Sequence, residues 1–163
     1  FHHAGNPVEP TLNYLSTEDW NITEEPGEEE GIPSTIKNMF DMNFSTNWAP
    51  TTQAAWREHI ITLSRSEKKT VHGIRLVQPS FATNGFVNSK LSPTVVKIQV
   101  SENGYDWENA TYLEENTLGT TSREATIIHF PEPKDILMIR FIFNDQAQSS
   151  SNMGVVVSEI SLF

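Results

Sequence analysis

Hydrophobic and polar residues alternate along most of the chain after residue 56. In residues 59–64, 70–77 and 94–101, apolar positions recur at every second residue, and many of them are β-branched. This period predicts β-strands that bury one face, because successive side chains of a strand point to opposite sides of the sheet. Four further apolar stretches complete the predicted strands: 107–112, 125–130, 136–143 and 155–163.

Turn-forming residues separate these strands, and no long helical period lies between them. The turn signals are Asn84-Gly85, Ser92-Pro93, Asn103-Gly104, Leu118-Gly119 and Pro131-Glu132-Pro133. One short helical turn is predicted over residues 33–40, where Ser34 can act as a cap. We therefore predict an all-β fold, an antiparallel β-sandwich.

The first thirty residues show little periodicity. We expect residues 1–11 to be a disordered or tag-derived segment, and residues 12–163 to form one domain, which is long enough for a hydrophobic core. Trp20 and Ile22 are expected to pack inward. The run EEPGEEE at 24–30 is interpreted as a solvated acidic loop.

Composition narrows the range of partners. The formal net charge of −10 argues against nucleic acids and anionic lipids, because both are bound through basic patches. The chain has no cysteine, which excludes disulfides, thiolate zinc sites and cysteine nucleophiles. No apolar run reaches the length of a membrane span, so direct membrane insertion is not expected. Neutral ligands and cations therefore remain as possible partners.

The stretch DMNFSTNW at residues 41–48 concentrates oxygen-bearing side chains in one turn-prone segment. Calcium takes about six to eight oxygen ligands, several of which can be main-chain carbonyls. Asp41 offers such an ion a carboxylate, and Thr46 offers a hydroxyl. The alternative is an Asx-type turn, in which Asp41 and Asn43 bind their own backbone. The segment alone leaves both interpretations open.

Six short motifs follow one another in a definite order. They are DMNFSTNW (41–48), IITLSR (60–65), VHGIRL (71–76), VSENGYDW (100–107), LMIRFI (137–142) and SEISL (158–162). Their order and spacing resemble the coagulation factor V/VIII type C, or discoidin-like, domain family, and within it the galactose-binding-like family 32 carbohydrate-binding modules. The resemblance covers residues 12–163 and implies an eight-stranded antiparallel jelly-roll β-sandwich.

The resemblance also implies a structural calcium ion. Family members that hold one bind it through the Asp and Thr of the first motif, the Glu of the last motif and nearby carbonyls. The corresponding set here is Asp41, Thr46 and Glu159, with carbonyl groups near Met39 and Asn43. A salt bridge at a sheet edge is the alternative role for Glu159. The family has glycine where this chain has Met42, so a positive φ there would strain the methionine.

Sugar binding calls for exposed aromatic rings that stack on a pyranose, together with a few directed polar groups. The candidate glycan ligands are Phe81, Asn84, Phe86, Trp56, Arg75 and His59. Two alternatives stay open: the loop phenylalanines can fold back to cap the sandwich, and His59 can simply face solvent on its strand. Trp48 matches a position that is normally in the core. The polar loop 144–152 is a further, aromatic-free candidate.

The chain contains no recognisable motif for a nucleophile with its base, for paired catalytic carboxylates or for an open metal site. We therefore predict a non-catalytic carbohydrate-binding module of a bacterial surface or secreted protein, located outside the cytoplasm. Its partners would be a glycan or glycoconjugate and other domains of a longer parent protein. The alternative function is that of a protein-interaction or adhesion domain with the same fold and no sugar site.

Overall fold

The computed structural model describes residues 12–27, 31–50, 58–81, 92–144, 146–149 and 152–163. Within these ranges the chain forms nine strands and one short 3-10 helix at Ile36–Phe40. The strands are β1 (Asn21–Glu25), β2 (Glu58–Val77), β3 (Val95–Ser101), β4 (Glu108–Asn109), β5 (Asn116–Thr117), β6 (Ala125–Asn144), β7 (Gln146–Ser149), β8 (Asn152–Gly154) and β9 (Glu159–Leu162). In the described ranges, no helix is both long enough and apolar enough to cross a membrane.

All strand pairs are antiparallel, which confirms the predicted all-β class. The main sheet has the order β1-β2-β6-β3-β4, with β9 added beside β2 and β5 beside β3. Strands β7 and β8 pair separately with each other. The N-terminal segment predicted at residues 1–11 lies outside the described residues, and so does residue 145 of the polar loop.

The two longest strands, β2 and β6, pair with each other along almost their whole length. Ile61 is opposite Phe141 in the first half of β2, and Ile74 is opposite Ile128 in the second half. The register shifts between Ser64 and Lys69, and such irregularities bend a strand pair. Both halves contribute side chains to a single hydrophobic core.

This continuity corrects the predicted strand list. Segments 59–64 and 70–77 are parts of one strand, β2, and segments 125–130 and 136–143 are parts of β6. The strand predicted at 107–112 shrinks to β4. The side-chain oxygen of Asn103 accepts the N–H groups of Tyr105 and Asp106, both at 2.8 Å, so a local turn precedes β4, and the Thr111 hydroxyl accepts the N–H of Leu113 at 3.3 Å in a second turn after it.

Part of the predicted acidic loop is a strand. Glu24 and Glu25 belong to β1, and the half-buried Glu24 accepts a hydrogen bond from Trp48 Nε1 at 2.9 Å and another from Ser34 Oγ. A solvated role for Glu24 is therefore wrong, because its carboxylate satisfies the indole N–H of a fully buried tryptophan. Trp20 is buried as predicted.

The predicted helical turn is present as the 3-10 helix. The Ser34 hydroxyl accepts the N–H of Ile36 at 3.1 Å, but the N-cap residue is Thr35, whose side chain makes no capping hydrogen bond, so the predicted cap at Ser34 is wrong by one residue. Ile36, Met39 and Phe40 are buried, and the helix therefore presents its apolar side chains to the core. The oxygen-rich loop begins directly after it.

Candidate functional site

The loop at residues 41–48 is fastened to the chain segment that leads into β9. Trp48 and Val157 exchange two backbone hydrogen bonds, of 2.8 and 3.1 Å. The hydroxyl of Ser158 lies 3.1 Å from the carbonyl oxygen of Phe44 and 3.2 Å from that of Thr46. These contacts join parts of the chain more than a hundred residues apart, and they bring the first and last motifs together.

Oxygen atoms converge on the hydroxyl of Thr46. Asp41 Oδ2 lies 2.6 Å from Thr46 Oγ1, the carbonyl oxygen of Asn43 lies 2.9 Å away and that of Asn38 lies 3.4 Å away. A hydroxyl has one hydrogen to donate, so it cannot satisfy three acceptors at once. The Asx-type bonds are also present, since Asp41 Oδ1 accepts the N–H of Asn43 at 2.8 Å.

Glu159 provides the most unusual group of the site. Its side chain is fully buried at 0% exposure, and within the described residues no donor meets either carboxylate oxygen in good hydrogen-bond geometry. Burial, and after it the neighbouring Asp41 carboxyl, raise the pKa of Glu159 to about 9, while the nearby backbone N–H of Met42 and the positive charge of Arg75 act in the opposite direction. A buried carboxylate without partners is costly, so this group requires either a proton or a cation.

Asp41 and Glu159 line one cavity of about 270 Å³ together with Met42, Phe40 and Ser161. The donors near it are carboxylate, hydroxyl and carbonyl oxygens, which suit a hard cation such as calcium. In the described part of the chain, no three His, Cys, Asp or Glu side chains come together. Carbonyl groups and the Thr46 hydroxyl would therefore have to complete the coordination. The residues present fit a calcium ion.

The structure shifts one detail of the predicted ligand set. The side chain of Met39 is fully buried in the core, so this residue could offer only its carbonyl oxygen. Besides the carbonyl oxygen of Asn43, that of Asn38, one residue before Met39, lies 3.4 Å from the Thr46 hydroxyl. The sequence did not single out Asn38, because the 3-10 helix decides which carbonyls of residues 36–40 turn toward the loop.

Met42 adopts the conformation that the family's glycine would allow. Its φ is 57°, a left-handed value that strains a residue with a side chain. The side chain is 55% exposed, and its sulfur lies 3.4 Å from the hydroxyl of Ser161. The loop therefore keeps its shape despite the methionine, at the cost of local backbone strain.

Three of the six predicted glycan ligands, Trp56, Asn84 and Phe86, lie outside the described residues. Phe81 is half-buried just beyond the end of β2, and its N–H donates to Ser122 Oγ at 3.0 Å. Phe81 thus stands at the beginning of the loop that carries Asn84 and Phe86.

The last two candidate glycan ligands, His59 and Arg75, lie in surroundings that the sequence did not predict. His59 is only 2% exposed, and its ring meets Trp48 edge-on with 6.2 Å between the centroids, so it does not face solvent. A direct contact between His59 and a sugar does not fit this burial. The guanidinium of Arg75 lies 5.3 Å from the ring centroid of Phe44, which places Arg75 beside the oxygen-rich loop.

Comparison with protein-family models gave no match, and comparison with curated protein sequences gave none at the threshold used. Solved structures do match. One is a family 32 carbohydrate-binding module of Clostridium perfringens in complex with GalNAc-β-1,3-galactose, with a TM-score of 0.65 and 15% identity over 93% of this chain and 99% of that one.

Two further solved structures match this chain over similar shares of its length. The family 32 module of Clostridium perfringens NanJ, solved with galactose, gives a TM-score of 0.65 at 15% identity, covering 91% of this chain and 96% of that one. A putative chitobiase fragment of Bacteroides thetaiotaomicron gives a TM-score of 0.70 at 12% identity, and the match covers 97% of this chain and 96% of the fragment. The chain therefore has the galactose-binding-like, discoidin-like fold of family 32 carbohydrate-binding modules, as its motifs indicated.

Proposed function

We propose that this chain is a non-catalytic carbohydrate-binding module. The observation that carries the proposal is the agreement in fold, over nearly the full length of both chains, with modules solved in complex with GalNAc-β-1,3-galactose and with galactose. Fold alone does not define a function, so the choice of ligand has to be tested directly. Glycans that end in galactose or N-acetylgalactosamine are the first ligands to test.

The aromatic loop residues Phe81, Phe86 and Trp56 are our proposed stacking platforms. An aromatic ring can cover the apolar face of a pyranose, and nearby amides such as that of Asn84 can bind its hydroxyl groups. Phe81 follows the end of β2 at Val77, and its N–H donates to Ser122 Oγ at 3.0 Å. His59 is left out of the set because it is buried.

A glycan array followed by calorimetry on the hits tests the proposal. We expect the wild-type module to bind a subset of glycans weakly, and we expect Phe81→Ala, Phe86→Ala and Trp56→Ala each to lower the affinity. The loss of one stacking contact should cost about 1 kcal/mol, or roughly fivefold to tenfold in affinity.

Tyr14→Ala is the matched control, since Tyr14 is an exposed aromatic residue outside the proposed loops. Its affinity should equal that of the wild type. If no glycan binds and a pull-down instead retains a protein partner, the interaction-domain function replaces the carbohydrate function.

We also propose that the site around Asp41 and Glu159 holds a structural calcium ion. The buried, unpartnered carboxylate of Glu159 supports this, because a divalent cation would neutralise it. When bound, the ion would supply positive charge that ties the loop at residues 41–48 to β9. Asp41, Thr46 and nearby carbonyls would be its other ligands.

The calcium proposal predicts a thermal shift. At calcium concentrations about a hundredfold above Kd, binding should add about 2.7 kcal/mol to the free energy of unfolding. For a domain of this size, that raises Tm by roughly 5–10 °C relative to the protein in chelator. Glu159→Gln should abolish the shift, and the Asp41→Asn variant should reduce it strongly.

Glu67→Gln serves as the control, because Glu67 is an exposed carboxylate on β2. It should retain the full shift. An unchanged Tm of the wild-type protein in calcium and after prolonged chelation would contradict the proposal.

The proposed location follows from the proposed ligand. Glycoconjugates are displayed mainly outside the cytoplasm, so we propose that the module works there, tethered to other domains of a longer protein. Tethering would compensate for weak single-site binding by raising the effective concentration of the module at its glycan.

A further inference from the structure

Gln78 is a completely buried polar residue at the start of the loop at residues 79–92, the loop that carries Phe81. It directly follows Val77, the last residue of β2, and its side chain is 0% exposed. Polar side chains are rarely buried completely, because their hydrogen-bonding groups give up water and then need partners inside the protein. The partners of Gln78 therefore indicate its role.

The carboxamide of Gln78 connects three segments of the chain. Its Nε2 group donates to the carbonyl oxygens of Pro93 and Gly119, both at 2.9 Å. An amide nitrogen carries two hydrogens, so these bonds use both of them. In the part of the chain that the structure describes, its Oε1 atom meets no donor. The side chain therefore acts through its nitrogen, which ties the end of β2 to two distant carbonyl groups.

The bond to Pro93 joins the two ends of the loop. Phe81 is the last described residue before residues 82–91, and Ser92 is the first one after them. Gln78 and Pro93 therefore lie just outside the loop, one at each end, and a single hydrogen bond holds them together. Fixing the ends of a loop reduces the number of conformations open to the residues next to those ends, and Phe81 is one of these residues.

The turn at residues 121–124 holds the start of the loop from another side. Three hydrogen bonds join this turn to residues 78–81: Gln78 N–H to Glu124 O at 2.9 Å, Arg123 N–H to Pro79 O at 3.1 Å, and Phe81 N–H to Ser122 Oγ at 3.0 Å. The turn is itself closed, because the N–H of Glu124 donates to Thr121 O at 3.0 Å and the N–H of Thr121 donates to Glu124 Oε1 at 3.1 Å. The backbone of Phe81 is thus bound to a turn that its own hydrogen bonds fix.

Arg123 shows that the shape of this turn is enforced. Its φ is 59°, a left-handed value that strains a residue with a side chain. Such a conformation persists where the surrounding contacts over-determine it, and the bonds between the turn and residues 78–81 are contacts of this kind. The turn is therefore a fixed support for the start of the loop.

We propose that Gln78 is a positioning residue for glycan binding, because it holds the backbone from which the ring of Phe81 projects. This inference rests on the proposed carbohydrate function. A stacking ring has to keep its place and angle on the pyranose, and residues that fix the ring beforehand lower the entropy lost on binding. Gln78 itself does not touch the sugar, since it is completely buried.

Calorimetric titration with the disaccharide GalNAc-β-1,3-galactose tests the proposal. Gln78→Met keeps the length of the side chain but removes both donors. We expect it to bind the disaccharide about fivefold or more weakly than the wild type, because a misplaced ring loses stacking energy. In the Phe81→Ala background, the same change should cost less than about twofold, because Gln78 acts through that ring.

Gly73→Ala is the matched control for a loss of stability alone. Gly73 contacts Phe163 and Ile128, and no contact of its own reaches the turn at residues 121–124. At a temperature at which every variant is fully folded, Gly73→Ala should bind the disaccharide as the wild type does. If Gln78→Met does not fold, Ser122→Ala takes its place, since it removes only the acceptor of the Phe81 N–H.

Native-state hydrogen exchange of the Phe81 N–H gives a measurement that needs no glycan. Exchange should be about tenfold faster in Gln78→Met than in the wild type, and unchanged in Gly73→Ala. Equal exchange in Gln78→Met and wild type overturns the proposal, and so does an affinity loss that Phe81→Ala leaves undiminished. If the wild type does not bind the disaccharide while the exchange rates differ as expected, the proposed ligand is wrong and the positioning of Phe81 by Gln78 is supported.

Discussion

At the scale of single residues, two inward-facing carboxylates have opposite surroundings. Glu24 accepts hydrogen bonds from Trp48 Nε1 and Ser34 Oγ, so its charge is compensated by donors of the chain itself. Glu159 is completely buried, and within the described residues no donor meets its oxygens in good hydrogen-bond geometry. The carboxylate of Glu24 therefore stabilises the contact between β1 and the loop at residues 41–48. The carboxylate of Glu159 instead makes the stability of the folded chain depend on a bound proton or cation.

Removal of the Glu24 side chain should destabilise the domain. In Glu24→Ala the buried N–H of Trp48 loses its acceptor, and an unsatisfied buried donor costs about 1–3 kcal/mol. Glu24→Gln retains one carbonyl oxygen and should cost less. Urea denaturation monitored by tryptophan fluorescence gives both values. Glu67→Ala, at an exposed carboxylate, should change the free energy of unfolding little, and equal stability of Glu24→Ala and wild type would refute the structural role of Glu24.

At the scale of elements, the end of the chain depends on a glycine in the middle of β2. The N–H of Gly73 donates to the carbonyl oxygen of Phe163 at 3.3 Å, and the N–H of Phe163 returns a bond of 3.1 Å to Gly73. A Cβ at position 73 would collide with the carbonyl oxygen of Ile128 and with the ring of Phe163. The close approach of β2, β6 and the segment after β9 therefore requires glycine here.

Gly73→Ala should accordingly cost about 1–3 kcal/mol, because a backbone carbonyl cannot move aside as a flexible side chain can. The expected change is a lower urea midpoint with an unaltered slope. Gly27→Ala is the control, since a Cβ there would meet nothing within 4 Å. Its stability should equal or slightly exceed that of wild type. A Gly73→Ala variant as stable as Gly27→Ala would show that the strands can separate freely at this point.

At the scale of the whole molecule, Glu159 links stability to pH. Its pKa is raised from the ordinary value of 4.5 to about 9 in the folded chain, with burial as the main cause. Between these two values the folded state binds more protons than the unfolded state. The stability that protonated Glu159 contributes is therefore complete below about pH 4.5 and is lost as the pH rises toward 9.

In chelator, the wild-type protein should thus lose stability between pH 5 and pH 9 relative to Glu159→Gln, in which the group cannot ionise. Denaturation midpoints of both proteins across this range give the comparison. Saturating calcium should reverse the difference at high pH, because the ion binds the ionised carboxylate. Parallel pH profiles of the two proteins in chelator would contradict the link between Glu159 and stability.

Local chemistry explains how much of this protein can be predicted from sequence. Strand periodicity placed β2, β3 and β6 at nearly their observed positions, because alternation depends only on neighbouring residues facing opposite sides of a sheet. The short helical turn was also predictable from local residue types, although its N-cap is Thr35 and not Ser34. The order of the motifs indicated the discoidin-like fold that the solved structures share.

Long-range contacts explain what the sequence could not show. An apolar-polar pattern does not reveal that Glu24 faces a buried indole or that His59 lies against Trp48, since both partners are distant in the chain. The continuity of β2 and β6 depends likewise on their pairing with each other, in a register that no local pattern specifies.

The sequence by itself determined the all-β class, the motif order and the oxygen-rich chemistry of residues 41–48, because these follow from side-chain type and spacing. Tertiary structure alone decided that Glu159 is buried beside that loop, next to the carboxyl of Asp41. The physical reason is that burial and pairing are properties of the assembled core, in which segments more than a hundred residues apart exclude water from one another.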